Sequence, residues 1–167
     1  EQNTTEHFFL NELTGANLED LRNPNYRAPD EALSAGSGKW QYVPAVQLKR
    51  EVTDIMVEPL LKDALVRLNP EITEDPNKAD EVIYKLRAIL LSVQHSGLVR
   101  ANEEFSAWLK GEKTMPFGEN NQHTSVRLID FEHPENNSLI ATNQYSVRAA
   151  VEKRPDMVLL VNGIPVV

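Results

Sequence analysis

The chain has 167 residues, of which 41% are hydrophobic and 25% are charged, a composition that excludes collagen, coiled-coil rods and wholesale disorder. Its 17 basic and 25 acidic residues give a net charge of −8, which argues against a free-standing nucleic-acid-binding domain but not against a local basic strip. The absence of cysteine excludes disulfides, thiolate metal sites and a cysteine nucleophile, and is typical of a reducing compartment.

The two ends of the chain indicate a fragment of a longer protein. No apolar run approaches the ~20 residues of a membrane span, and the start, EQNTTEHFFL, has no basic region or long apolar stretch. We therefore expect a cytoplasmic protein with no membrane contact. The chain lacks an initiator methionine and stops on the apolar run IPVV. We expect residues 1–167 to form a single N-terminal domain that is truncated at its C-terminal end.

The first two thirds of the chain are predicted to be mainly helical. Apolar residues favour a short helix over 4–13, and the proline and glycine content of 22–45 favours a flexible loop. Helical periodicity continues over 48–68, where Pro59 should kink or split the helix. Further helices are predicted over 76–95, closed by a glycine, and over 102–110.

From residue 124 the apolar period changes from about 3.6 to 2, which predicts strands. The predicted strands cover 124–132, 138–147, 156–161 and a last one that begins at 164. Asn162-Gly163 between the last two predicts a tight hairpin. Helices followed by an antiparallel meander indicate an α+β or three-layer α/β fold.

Two familiar site patterns fail in this sequence. Gly36-Ser37-Gly38-Lys39 lacks the glycine and the Ser/Thr of a nucleotide-binding loop, since Leu33 and Trp40 occupy those positions. The four histidines are scattered without metal-binding spacing, so a histidine metal site is not predicted.

The C-terminal block, EKRPDMVLLVNGIPVV, contains the strongest candidate site residue, Asp156. By itself, a charged residue before an apolar strand is commonly the solvated end of that strand. In a hairpin with a two-residue loop, however, Val161 pairs with Ile164, and Asp156 then lies opposite position 169. An acidic residue following Val167 would bring two carboxylates together, and such a pair suits Mg²⁺.

The segment RPDMVLLVNGIPVV resembles the N-terminal nuclease region of the R (restriction, or motor) subunit of type I restriction–modification enzymes. In that family R-P-D leads a strand, N-G-x-P follows, and the next strand ends in E-x-K. The segments NEEFSAWLKGEKTM and SVRLIDFEHPENNSLIATNQYSV are similar to the same family. The resemblance covers residues 48–167 well and the first 47 loosely.

The resemblance implies a PD-(D/E)xK restriction-endonuclease-like core, with a mixed sheet flanked by helices. It makes Asp156 a catalytic, metal-binding acid, and it places the E-x-K near position 170, outside this sequence. The implied activity is Mg²⁺-dependent endonucleolytic cleavage of unmodified foreign DNA, coupled in the full protein to ATP-dependent translocation. This fragment alone is expected to be inactive, because half of the site is missing.

The resemblance also nominates four polar residues near the implied metal site. A glutamate of the first helix often joins the metal cluster in these folds, and Glu6 and Glu12 are the candidates; ordinary exposed helix charges remain the alternative. Asn143 and Gln144 match the N-Q of the family's middle strand. They would support the site or the substrate, or would simply satisfy backbone groups at a buried sheet edge.

The basic residues Arg154, Lys153 and Arg148 could hold DNA phosphates, or else form ordinary salt bridges with nearby carboxylates. The implied partners are double-stranded DNA, the modification and specificity subunits, and C-terminal motor domains that hold ATP. A non-catalytic PD-(D/E)xK-like docking or DNA-positioning module is the alternative function, and a globular domain of unknown role is a third. An E-x-K directly after Val167 would favour the nuclease.

Overall fold

A computed structural model describes residues 2–148 and 152–167 of the chain. Its helices and strands follow the order that the sequence predicts, helices first, with one early strand added. The helices are α1 (Gln2–Thr14), α2 (Leu18–Arg22), α3 (Glu58–Leu68), α4 (Pro70–Glu74), α5 (Asn77–Ser96) and α6 (Leu98–Leu109). The strands are β1 (Gln41–Tyr42), β2 (Thr114–Met115), β3 (Thr124–Ser125), β4 (Leu139–Asn143), β5 (Val147–Arg148), β6 (Glu152–Lys153), β7 (Met157–Val161) and β8 (Ile164–Pro165).

The chain divides into two compact units. One unit joins Glu1–Leu60 to His133–Val167, and the other is Leu61–Glu132. The first unit contains the main sheet together with α1 and α2, and it carries every candidate site residue. The second unit is built mainly from helices.

The main sheet of the first unit is mixed, as predicted. Its strand order is β1-β4-β7-β8, with β1 parallel to β4 and the other pairs antiparallel. The last three of the four predicted strands therefore form an antiparallel meander, and the predicted pairing of Val161 with Ile164 is confirmed. Pro165 lies in the last strand of this sheet, where its missing N–H interrupts no ladder bond.

Each face of this sheet packs against its own apolar cluster, because side chains alternate along a strand. On one face Leu10 of α1 and Leu21 of α2 pack with Tyr42 and Ala141. The other cluster consists of nine buried residues drawn from the sheet and from the connecting segments, Ala28, Ala32, Val43, Leu48, Val57, Ile140, Tyr145, Val158 and Leu160. The first of these faces, under α1 and α2, is the one that adjoins the site.

The hairpin turn is held by a buried asparagine. Asn162 has a positive φ of 51°, a backbone conformation that asparagine tolerates better than most residues. Its side-chain oxygen accepts a hydrogen bond from the Ser138 N–H at 2.9 Å, and its amide nitrogen donates to Asn137 Oδ1 at 2.9 Å. The predicted Asn-Gly turn therefore also fixes the start of β4.

The helix predicted over 48–68 is wrong in its first half. The helix starts at Glu58, so Pro59 lies in its first turn, where its missing N–H costs nothing, and does not kink a longer helix. Residues 48–57 form a loop that the Arg50 side chain holds through the carbonyls of Glu51 (3.0 Å) and Asp54 (2.8 Å).

In the second unit the two long helices are confirmed with small changes of boundary. α5 ends before Gly97, whose φ of 81° closes the helix as predicted. α6 starts at Leu98, four residues before the predicted start, directly after that glycine. Leu86 of α5 is fully buried.

The strand predicted over 124–132 is largely wrong. Only Thr124–Ser125 pairs, with β2. The Val126 N–H still donates to the Lys113 carbonyl at 3.1 Å, but the backbone of Arg127 is bound by a side chain. Asn69 Oδ1 accepts from the Arg127 N–H at 2.7 Å, and Asn69 Nδ2 donates to the Arg127 carbonyl at 2.9 Å. Asn69 thus takes the place of a neighbouring strand. Within the described ranges, no helix is both long enough and apolar enough to cross a membrane.

Candidate functional site

A groove of about 870 Å³ opens in the first unit beside the end of β4. Its walls come from α1, the end of α2, the segment that follows β1, and the residues that flank the β5–β6 hairpin. Three arginines line it, namely Arg22, Arg50 and Arg154. Among the described residues that line the groove there is no carboxylate, although the whole chain carries a net charge of −8.

A tyrosine and an asparagine of neighbouring strands meet at the groove. The hydroxyl of Tyr42 donates to Asn143 Oδ1 at 3.1 Å, and both residues line the groove. Burial, with the nearby Glu6 carboxylate and Tyr26, raises the pKa of Tyr42 to about 12. The Tyr42 hydroxyl is therefore neutral at physiological pH and donates a hydrogen bond to the Asn143 side-chain oxygen. The side-chain nitrogen of Asn143 is left as a hydrogen-bond donor.

Glu6 lies on α1 close to this pair. Its Oε1 is buried and has no hydrogen-bond partner in the structure. An unpaired buried carboxylate oxygen is costly to the folded state. Glu12 is exposed. Six residues of helix separate the two glutamates by about 120° around the axis, so α1 directs them to different sides. Of the two predicted candidates, Glu6 is the one near the groove.

Gln144 has a strained backbone at the end of β4. Its φ is 54°, a left-handed value that is uncommon outside glycine and that clusters at functional sites. Its N–H donates to the Asp156 carbonyl at 3.2 Å, and its side-chain oxygen accepts a hydrogen bond from Arg154 Nη2. The structure therefore brings together Gln144, Arg154 and the backbone of Asp156, three of the residues predicted from the sequence.

Asp156 is exposed and lies directly before β7, as predicted. The predicted register needs one correction, however. The Val166 N–H donates to the Leu159 carbonyl, and the Leu159 N–H donates to the Val167 carbonyl, both at 2.9 Å. Two residues thus face one, which is a β-bulge. Counting past this bulge, Asp156 faces position 170 of a continued strand and not position 169.

Lys153 and Arg148 lie outside the groove lining, as Asp156, Glu6 and Glu12 also do. Lys153 is exposed on β6, where it pairs in the backbone with Val147. Arg148 is also exposed, and its N–H donates to the Val52 carbonyl at 2.7 Å. Both residues belong to the small β5–β6 hairpin, which the sequence analysis missed.

Arg50 is a groove residue that the sequence analysis did not single out. Its guanidinium lies 3.6 Å from the centre of the Tyr145 ring, and it donates to the Ser146 carbonyl at 2.5 Å. The Tyr145 hydroxyl in turn donates to the Ile55 carbonyl at 2.8 Å. Burial raises the pKa of Tyr145 to about 12, so this hydroxyl stays a donor. Arg50 therefore fixes the groove wall and adds positive charge to it.

The described residues do not by themselves form a metal site. No group of three histidine or acidic side chains lies close enough together in the described ranges to hold a metal ion. Asp156 and Glu6 are single carboxylates, and Mg²⁺ gives up its waters reluctantly.

We therefore expect the 167-residue chain to bind Mg²⁺ weakly or not at all. One carboxylate cannot replace several of the waters that this cation keeps. Isothermal titration calorimetry with MgCl₂ should give no stoichiometric heat at ordinary protein concentrations. A tight one-to-one isotherm that Asp156→Ala removes would contradict this expectation.

Comparison with known proteins gives consistent results over most of the chain. The family described as "Type I restriction enzyme R protein N terminus" matches residues 29–167. The chain is 28% identical over 121 residues to the "Type I restriction enzyme HindI endonuclease subunit" of Haemophilus influenzae, covering 70% of this chain and 11% of that protein. It is 25% identical over 132 residues to the "Putative type I restriction enzyme MjaIXP endonuclease subunit" of Methanocaldococcus jannaschii, covering 75% and 12%.

The chain thus spans about a tenth of the length of these two relatives. No solved structure gives a significant match to it. The match of the family covers well over half of the residues and includes every part of the groove from β1 onward. The chain belongs to the family of type I restriction enzyme R protein N-terminal regions.

Proposed function

We propose that this chain is the nuclease domain of a type I restriction enzyme R subunit, with a PD-(D/E)xK core that cuts unmodified foreign DNA in the cytoplasm. The observation that carries the proposal is the groove. Three arginines and no described carboxylate line it in an acidic protein, and the backbone of Asp156 is bonded to Gln144 at its edge. Family membership supports the same function.

In this proposal Asp156 is the first metal-binding acid. The register through the bulge supports it, because position 170, where the family resemblance puts the glutamate of E-x-K, then faces Asp156. Glu6 is the helical acid that would complete the metal ligands, since its buried Oε1 has no protein partner. The Mg²⁺ held by these acids would stabilise charge on the scissile phosphate and favour hydroxide formation.

The other predicted residues take roles toward DNA. Arg154 and Gln144 would contact a phosphate together, since the guanidinium and the side-chain amide are hydrogen-bonded at the groove and both keep further N–H donors. Asn143, positioned by Tyr42, would support them. Lys153 and Arg148 would contact phosphates farther along the duplex, because both are exposed on the adjoining hairpin.

The relatives are far longer than this chain, so the remaining functions are assigned to other parts of the assembly. ATP hydrolysis and translocation would belong to motor domains of the same polypeptide. DNA sequence recognition would belong to the modification and specificity subunits. This division accounts for the net charge of −8, since the domain need not hold double-stranded DNA alone.

The test is cleavage by the full-length protein together with its modification and specificity subunits. Unmodified plasmid should be cut when Mg²⁺ and ATP are both present, and it should stay intact when EDTA is added. The next codons of the gene give a second test, since E-x-K should begin at position 170. A complex that translocates on DNA but never cuts it, with no E-x-K in its R subunit, would instead establish the non-catalytic docking or DNA-positioning module.

A further inference from the structure

The groove has chemistry that the proposed cleavage site does not use. Beyond Arg154 and Gln144, it contains Arg22 at the end of α2 and the aromatic ring of Tyr26. Neither residue stood out in the sequence, because both lie in a segment predicted to be a flexible loop or directly next to it. Both are contributed by the unit that carries Asp156.

Arg22 is a well-placed contact for a phosphate. Its side chain is exposed, and none of the carboxylates in the described ranges forms an ion pair with it. It comes from the helical part of the groove wall, whereas Arg154 comes from the strand part. Because both guanidiniums line the same groove, one phosphodiester chain bound in it could be contacted by both.

The aromatic part of the groove favours unpaired bases. Tyr26 stacks on Tyr42 with ring centres 5.8 Å apart and an angle of 21°, and both tyrosines line the groove. Grooves for single-stranded nucleic acid combine a basic track with aromatic side chains on which bases stack. The volume of about 870 Å³ lies within the range of small-ligand sites.

A buried histidine adds a polar group to the same wall. His7 of α1 is only 8% exposed, yet it lines the groove, and its Nδ1 is buried without a hydrogen-bond partner. Buried polar atoms are rarely left unsatisfied, so an unpartnered ring nitrogen at a groove is expected where a ligand completes the site. This observation is independent of the arginines and points to the same place.

We propose that this groove binds a single nucleic-acid strand, with Arg22 and the Arg154–Gln144 pair contacting its phosphates and Tyr26 offering a surface for base stacking. The inference deepens the proposed nuclease function and rests on it. It adds that the strand is unpaired where it enters the groove. It also assigns Arg22 and Tyr26 to substrate binding.

The test measures binding of a short fluorescein-labelled thymidine oligonucleotide to the 167-residue chain. Fluorescence anisotropy, recorded without Mg²⁺, reports the binding. The single strand should bind more tightly than a duplex of the same length, and an abasic strand should bind more weakly. Arg22→Ala should weaken binding roughly tenfold, because a charged hydrogen bond is lost. The logarithm of the association constant falls as the logarithm of the salt concentration rises. Arg22→Ala should make this slope less steep by about 1 between about 50 and 200 mM salt.

Arg27→Ala is the matched control, because Arg27 is an exposed arginine near Arg22 that does not line the groove. It should leave the affinity and the salt slope unchanged. Equal effects of the two variants, a preference for the duplex, or no binding by the wild-type chain would each overturn the inference. If the chain bound the single strand as expected but the full-length complex did not cleave DNA, only the proposed function would be overturned. Cleavage that survives with no measurable strand binding would overturn only this inference.

Discussion

Replacing Asp156 by alanine in the full-length protein is expected to abolish DNA cleavage while ATP hydrolysis, translocation and subunit assembly stay near normal. In the proposed site Asp156 faces the acid at position 170 and Glu6 completes the ligands, so removal of Asp156 would take away one of the acids that anchor the cation. Loss of a single electrostatic contact in such sites costs ~10²–10³ in rate, and loss of the metal should cost more. Plasmid cutting and ATPase assays on the assembled complex measure both activities.

The fold should survive this substitution, because Asp156 is exposed and precedes the apolar strand Met157–Val161. Asp30→Ala is the control, since Asp30 is an exposed aspartate of the same unit that has no part in the proposed metal site. It should leave cutting unchanged. If Asp156 only formed a surface salt bridge, its loss would cost under about 1 kcal/mol and cutting would persist. In the structure the Arg154 guanidinium is hydrogen-bonded to the Gln144 side chain instead.

Local signals made the central hairpin and the long helices predictable. Asn162 and Gly163 both tolerate a positive φ, so they specify the turn between β7 and β8. Gly97 also tolerates a positive φ, and it ends α5 for that reason. Strand β1 could not be predicted, because Gln41 and Tyr42 become a strand only by pairing with Ile140 and Ala141 about a hundred residues later. A two-residue strand has no period of its own.

The candidate site was predictable only where a motif or a resemblance identified it. Asp156, Arg154 and Gln144 could be named from the sequence, and the structure places them side by side. Arg22 and Tyr26 could not, because a groove wall assembled from separate loops leaves no spacing pattern in the chain. The bulge at Val166–Val167 was also hidden, since hydrogen bonding and not side-chain alternation defines it.

Replacing Asn162 by alanine is expected to destabilise the first unit by about 2–5 kcal/mol. Asn162 is fully buried, and its side chain bonds to the Ser138 N–H and to the Asn137 side chain. Each buried group left unsatisfied costs about 1–3 kcal/mol, and alanine also tolerates the positive φ less well. The free energy of unfolding from urea titration should fall by this amount, because the turn loses its link to the start of β4.

Asn120→Ala separates the two contributions, because Asn120 also has a positive φ, of 52°, but is exposed. It should cost at most about 1–2 kcal/mol, since only the backbone preference is lost. Asn162→Gly removes the same side chain but relieves the backbone, so it should still lose most of the stability that Asn162→Ala loses. If Asn162→Gly were as stable as the wild type, the buried hydrogen bonds would contribute nothing, and the φ preference alone would account for the asparagine in this turn.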